Sequence, residues 1–299
     1  MKIYRKGNKV KVLFRYKLLL IITILGNYFN PSALRAQSLA PYTPKVDAET
    51  LAPYGMQLIQ DAVQLIRFRE FDLALTRAEL ATQLAPNQYE TWFILGTLYG
   101  QQQENQKAID ALLTAKKLAP EEAEVLFSLG NSYFQMGEYQ SAIQELEKGL
   151  AINSEAPQAY FDLGNSHLQL KQFNQAISAY RQAIKLDEKF WPATNNIGIA
   201  QYEQGDRRGA LTRWREALGV MEERQAEPLL AIAVTLFREG ETSEAIKTAS
   251  EALTMDGQYG NIDYLIKNLW GENLIKDTKT FFANPTMKNI LEEKLIPME

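Results

Sequence analysis

An all-α stack of helical hairpins is the fold class this sequence predicts, and three observations predict it. Four segments superimpose at a fixed spacing of 34 residues. Trp92, Leu95, Gly96, Tyr99, Ala108, Leu112, Ala115 and Pro120 fall on Leu126, Leu129, Gly130, Tyr133, Ala142, Leu146, Gly149 and Ser154, then on Tyr160, Leu163, Gly164, His167, Ala176, Tyr180, Ala183 and Glu188. A looser fourth copy keeps Ile197, Gly198, Ala210, Trp214 and Ala217. Each copy also holds two stretches of about a dozen residues with apolar side chains three and four apart, the mark of amphipathic helices. Finally, small residues recur where the two helices must cross, so the backbones approach while larger neighbours fill the flanks. A period of this length made of two helices denotes a solenoid rather than an enclosed enzyme core.

Taken in chain order, the N-terminal region carries Lys2, Arg5, Lys6, Lys9, Lys11, Arg15 and Lys17 without an acid, followed by an apolar run from 18 to 25. That run is short of the roughly twenty residues a bilayer span needs. A basic head, a short apolar centre and the small-x-small exit at Ala36-Gln37-Ser38 predict a secretory signal peptide over 1–38, or the same segment retained as a signal anchor. Either way the remainder is expected on the far side of a membrane, in a periplasm or lumen, because the basic flank stays cytoplasmic. Residues 1–38 hold eight cations and no acid, so their removal takes the formal net charge from −4 to −12. A strongly acidic chain argues against nucleic acid or an anionic membrane surface as partner, leaving membrane contact to an N-terminal anchor. Residues 39–54, with Pro41, Pro44 and Pro53, read as an extended linker.

Six repeat units follow, over 55–88, 89–122, 123–156, 157–190, 191–224 and, with one residue inserted near Gln225, 226–259. In the third unit the first helix is expected over 123–135 and the second over 139–150, with Gly137 in the turn and Gly130 and Ala142 at the closest crossing. The end units are degenerate, as units with a single neighbour tend to be: the first has Asp61-Ala62 where its neighbours have Leu-Gly. The tail, 260–299, leaves the period. It predicts three short helices over 262–270, 272–282 and 286–295, capping the apolar face of the last repeat through Trp270, Phe281 and Phe282, or serving as a docking element of its own.

The repeated slots resemble the tetratricopeptide repeat (TPR) family, whose pattern is W-x2-L-G-x2-Y followed by A, F, A and P. Residues 89–122 match seven of those eight positions, departing at Leu112 where the family prefers an aromatic. The resemblance implies a right-handed α-solenoid of about six TPR hairpins with a C-terminal helical cap, and a protein that binds other proteins rather than one that catalyses a reaction.

Catalytic chemistry has little to work with. Cysteine is absent, which excludes thiol catalysis and cysteine-ligated metals, and the sole histidine, His167, occupies a Tyr slot of its repeat and reads as a packed core residue. Glu121, Glu122 and Glu124 open a helix, where acids complement the helix N-terminus. No phosphate-binding glycine loop or nucleophile elbow occurs. No catalytic residue, metal site or cofactor is therefore expected.

In TPR proteins the concave groove is lined by the first helix of each hairpin, and its positions carry over to this chain. They place Phe93, Phe127, Phe161 and Asn195 at the fifth position, and Thr97, Asn131 and Asn165 at the ninth. The twelfth holds Phe134, Leu168 and Tyr202, and the thirteenth includes Gln169. The resemblance thus implies an apolar stripe bordered by amides. Amides donate and accept, so they bond the main chain of an extended peptide whatever its sequence, while aromatic rings receive its side chains. The expected partner is another protein or an extended peptide. The alternative reading is a membrane-anchored TPR assembly factor for an envelope or photosynthetic complex.

Overall fold

Six helical hairpins and a folded-back tail make up the structure, a computed structural model that describes residues 48–220 and 225–294. The signal segment and residues 39–47 of the linker lie outside the described residues. Among those described, fifteen α-helices and one 3-10 turn form, and no strand. The hairpins are α1 (Ala48–Arg67) with α2 (Phe71–Leu84), α3 (Tyr89–Gln101) with α4 (Asn105–Leu118), and α5 (Ala123–Gln135) with α6 (Tyr139–Ile152). They continue as α7 (Pro157–Gln169) with α8 (Phe173–Leu186), α9 (Trp191–Glu203) with α10 (Arg207–Gly219), and α11 (Ala226–Arg238) with α12 (Thr242–Met255). The starts at Tyr89, Ala123, Pro157 and Trp191 keep the 34-residue interval, and one extra residue precedes Ala226.

The same interval governs the turns. Arg69, Gln103, Gly137, Lys171, Gly205 and Gly240 each adopt a positive φ, between 58° and 89°, at the hinge of their hairpin. Glycine meets this need at three of the six; the other three carry side chains in a left-handed conformation that favours glycine.

Crossings follow the expected small-residue logic. A Cβ on Gly96 would lie 2.6 Å from Leu112 Cγ, and one on Gly130 would lie 2.7 Å from Leu146 Cγ. In the next two hairpins the group facing the glycine is larger: Tyr180 against Gly164, and the indole of Trp214 at 2.5 Å from a Cβ on Gly198. Each glycine therefore leaves the space its partner side chain fills. First helices of neighbouring hairpins touch one another more closely than second helices do, so the first helices line the inner, concave side.

Residues 48–54, expected in the linker, are helical instead. The apolar spacing of Leu51, Gly55, Leu58, Ile59 and Ala62 extends the amphipathic face upstream of the first unit, and Gly55 lies against Ala85, which a Cβ would meet at 2.6 Å. Pro53 falls within α1 and removes one backbone bond near its start.

The tail also departs from expectation in where it sits. After a 3-10 turn (Gly257–Gly260) come α13 (Ile262–Lys267), α14 (Glu272–Phe282) and α15 (Pro285–Lys294). α15 lies on α12 of the last hairpin, as a cap would, but α14 packs on the first helices α9 and α11. The middle of the tail thus occupies the concave side of the last two hairpins. Leu274, Thr278 and Phe281 are fully buried there, Trp270 is buried beside them, and Phe282 is only partly covered. At about 1.5–3 kcal/mol for each large apolar side chain, this contact is a substantial anchor. One continuous core runs from Leu168 through Trp214 and Leu230 to Phe281 and Met287, whereas the first three hairpins hold smaller separate clusters.

Candidate protein-binding groove

The concave face divides into an open and a covered half. In the open half Thr97 on α3 and Asn131 on α5 are exposed and face a cavity of about 230 Å3, completed by Gly96, Gly100, Gln101 and Ser128. The Thr97 hydroxyl donates to the Phe93 carbonyl of its own helix at 2.9 Å. The amides of Gln101 and Asn131 are on the surface. Gly100 is the reason the hollow exists: the nearest atom to a Cβ there, that of Ala108, would be 3.8 Å away.

The phenylalanines assigned to the groove are half-buried and do packing work. Phe93 lies on Ile109, Leu112 and Leu129. The Phe127 ring covers Gly149, where a Cβ would sit 2.5 Å from it. Phe134 rests on Tyr139 at 5.4 Å between ring centroids, and Phe161 is held between Tyr180 (5.8 Å) and Phe190 (5.4 Å). Only the remaining ring area faces the groove.

The covered half takes Asn165, Leu168, Asn195 and Tyr202 out of solvent and leaves Gln169 half-buried. Leu168 and Gln169 border a cavity of about 270 Å3 whose opposite wall is Leu269, Trp270 and Gly271 of the tail. These positions, expected to meet a partner, meet the chain's own C-terminal segment or one another. Asn165 Oδ1 accepts from Tyr180 Oη at 2.8 Å and from Asn196 Nδ2 at 2.9 Å, and Asn195 Nδ2 donates to Asn196 Oδ1 at 3.1 Å.

Polar contacts lock the tail in place. Tyr202 Oη donates to Asp277 Oδ2 at 2.6 Å, and Arg238 Nε pairs with Asp277 Oδ1 at 3.3 Å. The Glu203 carboxylate accepts from the first backbone amides of α14, Asn273 N at 3.0 Å and Leu274 N at 2.9 Å, satisfying donors that a helix start leaves free. Trp270 Nε1 donates to Glu227 Oε1 at 3.1 Å. Burial beneath the tail pushes the Glu227 carboxyl up to about 7, against the lowering effect of that indole and of Asn195. Burial likewise raises Asp162, at the centre of α7, to about 6, although it accepts from Gln158 Nε2 at 2.9 Å. His167 is half-buried with Nδ1 2.6 Å from Gln172 Oε1, a local bond within its hairpin.

Asp277 and Glu227 escaped the sequence reading, and Glu203, assigned by it to the thirteenth groove position, meets the start of α14 instead of a partner. One signal for them was present: from Pro228 to Leu236 α11 is apolar on every side apart from Thr235, and such a helix must be covered all round.

Family models agree with this architecture. Models described as tetratricopeptide repeat match residues 89–122, 157–190 and 195–259, and one described as TPR repeat matches 130–171, together more than half of the chain. The chain belongs to the tetratricopeptide-repeat family. No curated protein sequence matches it. Among solved TPR structures, MamA shares 28% identity at a TM-score of 0.50, over 53% of this chain and 93% of that one. Two more distant ones share the fold: PilW, a type IV pilus biogenesis factor, with 18% identity and a TM-score of 0.63 over 75% of this chain and 97% of its own, and YrrB, a TPR protein with an unusual peptide-binding site, with 20% identity and a TM-score of 0.52 over 63% and 93%. Among the described residues no TPR or tail helix is long and apolar enough to cross a membrane.

Proposed function

We propose that this TPR protein is a non-catalytic scaffold, exported across a membrane, that holds an extended segment of another protein in the open half of its groove. The observation that carries this reading is the hollow between α3 and α5, where Thr97, Gln101 and Asn131 offer donors and acceptors around an empty glycine slot. Exposed amides match the main chain of an extended peptide, and the Gly100 slot admits its backbone or a side chain. That the same fold carries a peptide-binding site in YrrB is consistent with this use.

The test is a pull-down from the native envelope fraction with the full chain as bait, compared with Gly100→Leu and Asn131→Ala. Leu at position 100 fills the hollow without a backbone clash, so folding is preserved and circular dichroism verifies it. A protein held by the wild type and lost from both variants is expected; the same proteins held by all three would overturn the groove assignment. Export is checked on the same material by the N-terminal sequence. A start near Gln37 or Leu39 fits a cleaved signal, a membrane-held Met1 fits the anchored assembly-factor alternative, and a full-length cytosolic chain overturns both.

A further inference from the structure

Where the covered half of the groove meets the hairpin turns, three cations on three different helices converge. Arg207 opens α10, Arg238 ends α11 and Lys276 lies on α14, around a cavity of about 260 Å3 shared with Tyr202, Asn273 and Asp277. Among the described residues Asp277 is the one acid on this wall, and it is already spent: 6% exposed, it accepts from Tyr202 Oη and pairs with Arg238 Nε. Its distance to the Arg207 guanidinium is a long 3.8 Å. The Arg207 and Arg238 side chains remain 46% and 39% exposed. Lys276 is exposed on the same rim. Of the acids beside this wall, Glu203 is turned to the backbone amides of Asn273 and Leu274, and Asp206, next to Arg207, accepts from Gly209 N. The cavity is therefore left with two positive charges in excess.

Arg207 also contradicts its local surroundings. The other second helices begin with Phe71, Asn105, Tyr139, Phe173 and Thr242, whereas α10 begins with Arg207-Arg208. Cations at a helix N-terminus oppose the macrodipole, so this placement is unfavourable for the helix alone. Its guanidinium is retained over the Tyr202 ring, 5.8 Å from the centroid, and aimed at the cavity. Arg207 is thus held by the Tyr202 ring and by Asp277, with its side chain still partly exposed on the cavity wall.

We propose that this cavity binds a small oxyanion group, a carboxylate or a phosphate, through Arg207, Arg238 and Lys276. Forked guanidinium donors match the paired oxygens of both groups, and the ammonium adds a point charge. Tyr202 apart, the site does not use the groove positions considered above: its cations come from a second helix, the end of a first helix and the tail. Its use as the contact for an acidic group on a bound partner rests on the scaffold reading.

Calorimetric titration of the full chain with inorganic phosphate, and separately with N-acetylglutamate amide, at ionic strength fixed with sodium chloride, tests the proposal. Saturable binding of at least one is expected, weakened roughly tenfold by Lys276→Gln and by Arg207→Gln, as fits the loss of a charge-assisted bond. Arg208→Gln, one residue away and outside the cavity, should bind as the wild type does. Phosphate alone binding identifies a phosphate group as the ligand, the glutamate derivative alone an acidic side chain, and both a general oxyanion site. No saturable binding of either, or unchanged affinity in Lys276→Gln, overturns the site; among the described residues Lys276 forms no ion pair, so misfolding does not obscure that outcome. Gly100→Leu must leave anion binding intact, which separates failure here from failure of the scaffold reading.

Discussion

Asn131 and Asn165 occupy the same slot of successive repeats, yet one lies on the surface and the other in the core. The contrast extends to Gly100 and Tyr202, which share the twelfth position of their helices: one opens a hollow, the other is buried and bonded to Asp277. A repeat slot therefore fixes where a side chain points, but not what it meets. In the first hairpins the concave side meets solvent, and in the last two it meets α14. The solvent-facing stretch is in effect shorter than the array that forms it.

The largest effect that would sharpen this contrast comes from truncating an anchor of the covered half. Phe281→Ala should cost about 3–5 kcal/mol, the usual range for a fully buried aromatic, while Thr97→Ala in the open half should stay within about 0.5 kcal/mol. Urea unfolding followed by tryptophan fluorescence compares them. Near-equal losses would mean that α14 is not integral to the core.

A pH dependence of intermediate size is expected from Glu227. Its carboxyl titrates at its ordinary 4.5 in the unfolded chain and is pushed up to about 7 under the tail. The folded state thus binds the proton more tightly, so this contribution to stability is whole below pH 4.5 and is lost as pH rises through about 7. Asp162, raised from 3.8 to about 6, acts in the same direction at lower pH. Urea midpoints between pH 4.5 and 8 should fall more steeply with pH in the wild type than in Glu227→Gln. Identical slopes would remove Glu227 from the docking of the tail.

The smallest predicted change is a gain common to both halves. Gln103 and Lys171 hold φ near 60° at hairpin turns, and glycine there should stabilise by up to about 1 kcal/mol. Lys171→Gly also removes an exposed pair with Glu272 in the covered half, which is worth little. Thermal midpoints should therefore rise in both variants; a fall confined to Lys171→Gly would show that the exposed pair matters for holding the tail.

Much of this architecture was legible because it is periodic. The 34-residue interval located the helix starts from Tyr89 to Trp191, the crossing glycines and the extra residue before Ala226. The groove positions came from the same register; Thr97 and Asn131 are exposed, while Asn165, Leu168, Asn195 and Tyr202 are buried. What periodicity does not encode is the pairing of residues far apart in the chain. Nothing near Tyr202 in the sequence announces Asp277, and nothing near Glu203 announces the start of α14. The clues were indirect: an α11 with no polar face, and a tail helix with an acid set among Leu274, Thr278 and Phe281. The helical course of 48–54 was obscured by Pro53, which is tolerated near a helix start but was read as a linker residue.

The clasp on Glu203 has a further consequence, in time rather than in space. Hairpins one to three draw their contacts from adjacent units, whereas Glu203 and Tyr202 wait for residues 71 and 75 positions later, and Lys171 for one 101 positions later. A chain made from its N-terminus forms nearby contacts first, and those of long separation pay their loop-closure entropy last. The half of the groove that faces solvent is thus complete while the other half still lacks its lid, and the tail is the final piece to arrive.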